Sequence, residues 1–148
     1  MPDYFTVTRE LRAPRHLVFD ALTTPEHFAV WFGTAAVEVP LDTLTMDVRV
    51  GGDFRAVMVL PDGNRIHWAG EYTEVDPPRR LAMTLTDNPD AYAGLPVLFD
   101  LVETTSGTEL TISQDRADFS DEQVAATIAG YQAFVDAIAE VLETMQRK

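Results

Sequence analysis

Ser120-Asp-Glu-Gln-Val-Ala-Ala-Thr-Ile-Ala-Gly-Tyr-Gln-Ala-Phe-Val-Asp-Ala-Ile-Ala-Glu-Val-Leu-Glu-Thr-Met145 is the stretch that decides the fold. Ser120 followed by Gln123 is a capping box: the serine oxygen accepts from the Gln123 amide, and the glutamine side chain accepts from the Ser120 amide. Asp121 and Glu122 place negative charge at the positive end of the helix dipole, and Arg147-Lys148 place positive charge at the other end. Val124, Ile128, Tyr131, Val135, Ile138, Leu142 and Met145 recur at helical spacing as one apolar stripe. At 1.5 Å per residue this helix is about 40 Å long, and a stripe of that length must lie on another layer of structure.

The residues upstream supply a sheet for it. Tyr4 to Arg12 alternates and is rich in β-branched and aromatic residues, which predicts a first strand. Thr45–Val50, Asp53–Leu60, Arg65–Val75, Arg80–Thr86, Val97–Glu103 and Thr108–Asp115 continue with a period of two, and Val37–Val39 adds a frayed lead-in. Gly51-Gly52, Asp62-Gly63-Asn64, Asp76-Pro77-Pro78 and Ser106-Gly107 separate the strands with turn residues, so an antiparallel meander is expected. Asn88 to Pro96 is broken by proline and glycine and reads as a longer loop that covers a cavity mouth. Two short helices fall between the first strand and the meander. One follows Ala13-Pro14 and ends near Thr23; the other is capped by Thr24, opens on Pro25 and stops at Gly33.

Length and composition bound the function. The 148 residues, 46% hydrophobic, suffice for one domain with a sizeable core and show no repeat or linker. Cysteine is absent, so disulfides, thiolate metal sites and a cysteine nucleophile drop out. Met1-Pro2-Asp3-Tyr4 lacks the basic and apolar regions of a signal peptide, and the expectation is a cytoplasmic protein away from membranes. A net charge of −13 repels phosphate backbones, which excludes nucleic acid as the expected partner; the surplus carboxylates themselves read as a solvated surface.

Three motifs carry a resemblance. Arg12-Ala-Pro-Arg-His-Leu-Val-Phe-Asp-Ala-Leu-Thr-Thr-Pro-Glu-His-Phe-Ala-Val-Trp-Phe-Gly33 is similar to the N-terminal signature of proteins like the activator of heat shock protein 90 ATPase. Gly70-Glu-Tyr-Thr-Glu-Val-Asp-Pro-Pro-Arg-Arg-Leu81 agrees, as does Gly130-Tyr131 followed by Phe134, Ile138 and Leu142. Tyr131 departs from the tryptophan that the family usually carries there, a mild change because both rings can wedge the helix onto the sheet. The resemblance implies an α+β helix-grip fold of the START-like superfamily, also called SRPBCC and typified by the birch pollen allergen. That fold is a curved antiparallel sheet with two short helices and a long C-terminal helix. It implies little about activity, because the superfamily holds lipid carriers, cyclases, receptors and co-chaperone domains alike.

No motif for catalysis or metal binding stands out. His16, His27 and His67 have no ligand-spaced partners and read as surface residues, so no metal and no cofactor are expected. There is no nucleophile elbow, and Ser106, Ser113 and Ser120 sit in a turn, a strand and a cap. Gly51-Gly52 and Gly63 precede strands and are hairpin glycines rather than phosphate loops.

The informative residues are those that alternation sends to the concave face. Together with the helices they give an expected cavity lining of Trp31, Phe32, Phe54, Met58, Trp68, Tyr72, Met83, Phe99, Gln114, Tyr131 and Val135. The competing reading makes each of them ordinary core. Small residues at Ala56, Gly70 and Ala125 would leave volume unfilled, and the polar tips of Trp68, Tyr72 and Gln114 favour a pocket. Gly130 costs the helix about 1 kcal/mol, so close approach to the sheet or a bend is expected to compensate.

The expected function is a non-enzymatic protein that admits a small apolar or aromatic ligand near Phe32 and Tyr92 and orients it with Trp68, Tyr72 and Gln114. The enzyme alternative is a polyketide cyclase or hydratase drawing on Tyr72, Gln114 and Arg116 for proton transfer. A third reading, a co-chaperone module docking on a chaperone partner, comes from the family resemblance alone. A homodimer stays open.

Overall fold

Alternating burial builds the strands, and turn residues part them. The computed structural model describes residues 4–33, 37–87 and 94–147. In chain order these are β1 (Tyr4–Leu11), α1 (Arg15–Thr23), α2 (Pro25–Gly33), a 3-10 turn (Leu41–Thr43), β2 (Thr45–Met46), β3 (Asp53–Val59), β4 (Arg65–Asp76), β5 (Arg80–Leu85), β6 (Leu95–Glu103), β7 (Thr108–Asp115) and α3 (Asp121–Gln146). One curved antiparallel sheet runs β1-β7-β6-β5-β4-β3-β2, the expected meander with β1 added beside the last strand.

Register lines up the concave face. Tyr72, Met83, Val97, Gln114 and Phe5 pair in succession from β4 to β1, and Val75, Leu81, Phe99, Ile112 and Val7 form the adjacent row. Most members of both rows are buried, whereas Arg55, Glu71, Val102 and Glu109 on the other face are exposed. Helix α3 lies against α1, α2 and β1. It is long and apolar enough to cross a membrane by length and composition, yet Tyr131, Val135, Ile138, Val141 and Leu142 are buried inside the fold.

The capping box forms as read: Ser120 Oγ accepts from the Gln123 amide at 3.2 Å, and Gln123 Oε1 accepts from the Ser120 amide at 2.8 Å. Three expectations need correction. The strand expected over Thr45–Val50 stops at Met46, because Asp47–Gly52 folds into a turn with Gly51 at φ 84°. Strand β6 begins at Leu95 rather than Val97, taking in the end of the expected loop, whose residues 88–93 lie outside the described residues. Gly70 leaves no unfilled volume: a Cβ there would sit 1.9 Å from the Thr84 carbonyl oxygen, so the neighbouring strand already occupies that space. Pro14 occupies the N-cap position of α1, as expected of a helix that follows Ala13-Pro14, with no side-chain cap bond.

Candidate functional site

Among the spaces between the helices and the sheet, two that adjoin the ring-bearing residues differ in how well side chains fill them. The first is a cluster of rings. Phe28 packs on Trp31 at 4.6 Å and on Phe32 at 4.7 Å, Phe54 meets Phe28 at 5.3 Å, and Phe134 reaches in from α3 to Phe32 at 5.3 Å. Edge and offset contacts of this kind add to the area that each ring buries. Trp31 donates its indole N–H to the Ala21 carbonyl at 2.8 Å, which ties the end of α2 to α1. The space left among these rings, Met83, Val97 and Phe99 is only about 10 Å³, at the lower limit of what a single water needs.

The second compartment is open. A cleft of about 310 Å³ lies under the first half of α3, where β5 ends and β6 begins. Trp68 of β4, Leu85 and Asp87 at the end of β5, Leu95 of β6 and Gln114 of β7 form the sheet side. Phe32 and Phe119 line it as well, and Thr127, Gly130, Tyr131 and Phe134 form the α3 wall. The opening exists because α3 is gripped unevenly. Every buried residue of the helix lies at or beyond Tyr131, while Val124, Thr127 and Ile128 are only half-buried.

The expected lining divides between the two compartments. Phe32, Trp68, Gln114 and Tyr131 line the cleft. Trp31, Phe54, Met83 and Phe99 surround the 10 Å³ space, which Phe32 and Tyr131 border as well. Met58, Tyr72 and Val135 are buried in the core and do not line the cleft. Tyr92, expected at the mouth, lies outside the described residues. Of the histidines, His16 and His67 are exposed and His27 is half-buried.

Asp87, Leu95, Phe119, Thr127, Gly130 and Phe134 line the cleft without having been singled out for it. The helical ones had a signal: positions 127, 130, 131 and 134 are spaced i, i+3, i+4, i+7, one face of a helix. Asp87 and Leu95 flank a loop, where periodicity carries no information. Gly130 is a correction as well, since a Cβ there would meet no atom within 4 Å and no close approach to the sheet explains it.

The polar groups of the cleft are few. The Tyr131 hydroxyl donates to Gln114 Oε1, a buried bond between α3 and β7. The indole Nε1 of Trp68 is shielded from solvent and has no hydrogen-bond partner among the described residues. Among the described residues no three His, Asp or Glu side chains group to hold a metal.

Burial pushes the phenol of Tyr131 well above its ordinary range; burial and then the negative charge of Asp47 do the same for Tyr72. Both tyrosines keep their protons at physiological pH, and that of Tyr131 is the one donated to Gln114. The unfolded chain releases these protons from about pH 10 upward while the folded chain retains them, so stability is full below about pH 10 and falls as pH rises past it. Urea melts between about pH 8 and pH 11 are expected to show this fall, with a shallower slope for Tyr131→Phe. An equal slope would remove Tyr131 from the account.

Comparison with known proteins now adds to this geometry. The model of the family described as Activator of Hsp90 ATPase homolog 1-like protein matches residues 12–143. The chain belongs to that family. The AHSA1 protein of Silicibacter pomeroyi superposes with a TM-score of 0.84 at 23% identity, covering 97% of this chain and 99% of that one. A protein from Chromobacterium violaceum gives a TM-score of 0.83 at 23% identity over 96% and 99%. The AHSA1-like protein of Aeromonas hydrophila gives 0.81 at 22% over 99% and 96%. No curated protein matched the sequence. These solved structures share the helix-grip fold expected from the motifs.

Proposed function

We propose that this family member is a binding protein for a small, apolar, ring-bearing molecule seated in the cleft beneath the first half of α3. The observation that carries the reading is the 310 Å³ cleft beside a ring cluster that leaves only 10 Å³. The chain fills its interior closely in one place and leaves it open in the next. Ligand pockets begin at about 300 Å³ and combine mostly apolar walls with a few placed polar groups. The walls are Phe32, Trp68, Leu85, Leu95, Phe119 and Phe134, with Gln114, Thr127 and the rim carboxylate of Asp87 as polar points.

Binding is favoured over cyclase or hydratase chemistry by the state of the proposed acid–base groups. Tyr72 stands apart from the cleft, and Gln114 is engaged by a Tyr131 phenol that holds its proton. The co-chaperone reading draws only on the family's description.

Native mass spectrometry of freshly purified protein, followed by a thermal-shift screen of neutral aromatics and lipids, tests the proposal. A ligand at one hundred times its dissociation constant adds about 2.7 kcal/mol of stability, which at this chain length raises Tm by roughly 5–10 °C. A protein that retains nothing and is stabilised by nothing in the screen contradicts it.

A further inference from the structure

Gly130 sits inside a continuous 26-residue helix, where glycine is less favourable than alanine because the unfolded chain has more freedom to lose. Among the reasons for a glycine inside an element are positive φ, a packed neighbour and close approach of backbone to something bound, and the first two are absent here. The backbone does not take positive φ at Gly130, as it does at Gly51, Gly63 and Gly94. No packed neighbour excludes a side chain, as one does at Gly52, where a Cβ would sit 1.9 Å from the Asp47 carbonyl oxygen. A Cβ at Gly130 would meet no atom within 4 Å. The third of these is close approach of backbone to something bound. Gly130 is exposed at the edge of the cleft and lines it, and the rings of Phe32, Trp68 and Phe134 line it too.

We infer that Gly130 determines which ligands enter: it leaves a bare stretch of α3 backbone on which one face of a flat aromatic ring system rests, with Trp68, Phe32 and Phe134 as the other walls. The inference rests on the cleft being the binding site, and it adds a ligand class and a selecting residue. Puckered or branched skeletons of the same size lack a flat face to lay on that backbone and meet the ring walls less well. It also gives the glycine opposite effects on stability and on binding, the trade expected where a site is kept open against the preference of its helix.

The test uses the neutral fluorescent probe N-phenyl-1-naphthylamine on the full chain, with Gly130→Ala, Gly130→Leu and, as a control on the exposed face of α3, Ala129→Leu. The Ala variant is expected to melt higher than the parent by roughly 2–4 °C. It is also expected to bind the probe about ten-fold more weakly, since one added carbon in a pocket is worth that much. Gly130→Leu is expected to lose the probe while remaining folded, and Ala129→Leu to bind as the parent does. For the parent chain, 2-naphthol is expected to displace the probe at about one tenth the concentration of decahydro-2-naphthol, its puckered counterpart.

Equal probe affinity in the parent, Gly130→Ala and Gly130→Leu overturns the inference and leaves the cleft as a binding site. A lower melting temperature for Gly130→Ala also overturns it, because the glycine would then serve the helix. Equal displacement by the two naphthols overturns the flat-ring class. A parent chain that takes up neither the probe nor any member of the aromatic and lipid screen overturns the binding reading and this inference together.

Discussion

Trp31→Ala is expected to lower the stability of the chain by about 3–5 kcal/mol, the range for deleting a large buried ring. Trp31 is 2% exposed and meets Phe28, Phe32 and Phe134, so its loss opens a cavity bordered by rings from both α2 and α3. The Ala21 carbonyl also loses the indole N–H that ties the end of α2 to α1. Those surroundings cannot close the gap by moving one side chain, which puts the cost near the top of the range for such changes. Urea unfolding monitored by far-UV circular dichroism reads the effect as a fall in midpoint at constant slope. Trp31→Phe, which keeps most of the ring, is expected to cost less than half as much. A loss below about 1 kcal/mol for Trp31→Ala would mean that the ring cluster is not the packed core described here.

Ile138→Ala is expected to cost about 2–5 kcal/mol, and Ile128→Ala less than about 1.5 kcal/mol, although the sequence gives the two isoleucines the same place in one stripe. Ile138 is completely buried; Ile128 is only half-buried. The contrast measures the uneven grip on α3 that leaves the cleft. Native-state hydrogen exchange reads the same asymmetry without mutation: amides before Gly130 are expected to exchange faster than those from Val135 to Leu142. Equal costs for the two substitutions would mean that the first half of α3 is seated as firmly as the second.

The sequence made the fold legible because local chemistry and global pattern agreed. Ser120 with Gln123, the proline at the head of α2 and the turns at Gly63 and Gly107 each stand where an element begins or ends. Its reading failed at Thr45–Val50, where three β-branched residues suggest a strand but Gly51 with positive φ closes a turn around Arg49. The site was harder to read for a physical reason. Alternation says which face a residue occupies and nothing about how deeply its neighbours fill the space beyond. Phe54 and Trp68 lie on the same face, yet one lies among rings beside a 10 Å³ gap and the other lines the open cleft. Gly130 makes the same point: sequence gives the cost of a helical glycine, and only the fold shows that no neighbour demands it.

The central claim is that the stripe beginning at Val124 roofs a hollow that a ligand occupies. Titrating N-phenyl-1-naphthylamine into isotopically labelled protein and following amide, indole and side-chain resonances tests this most directly. Shifts that saturate together at the Trp68 indole, the Gln114 side-chain amide, Thr127 and Gly130 are the predicted result. Saturable shifts confined to surfaces away from those four residues, or none at any probe concentration, would contradict the account.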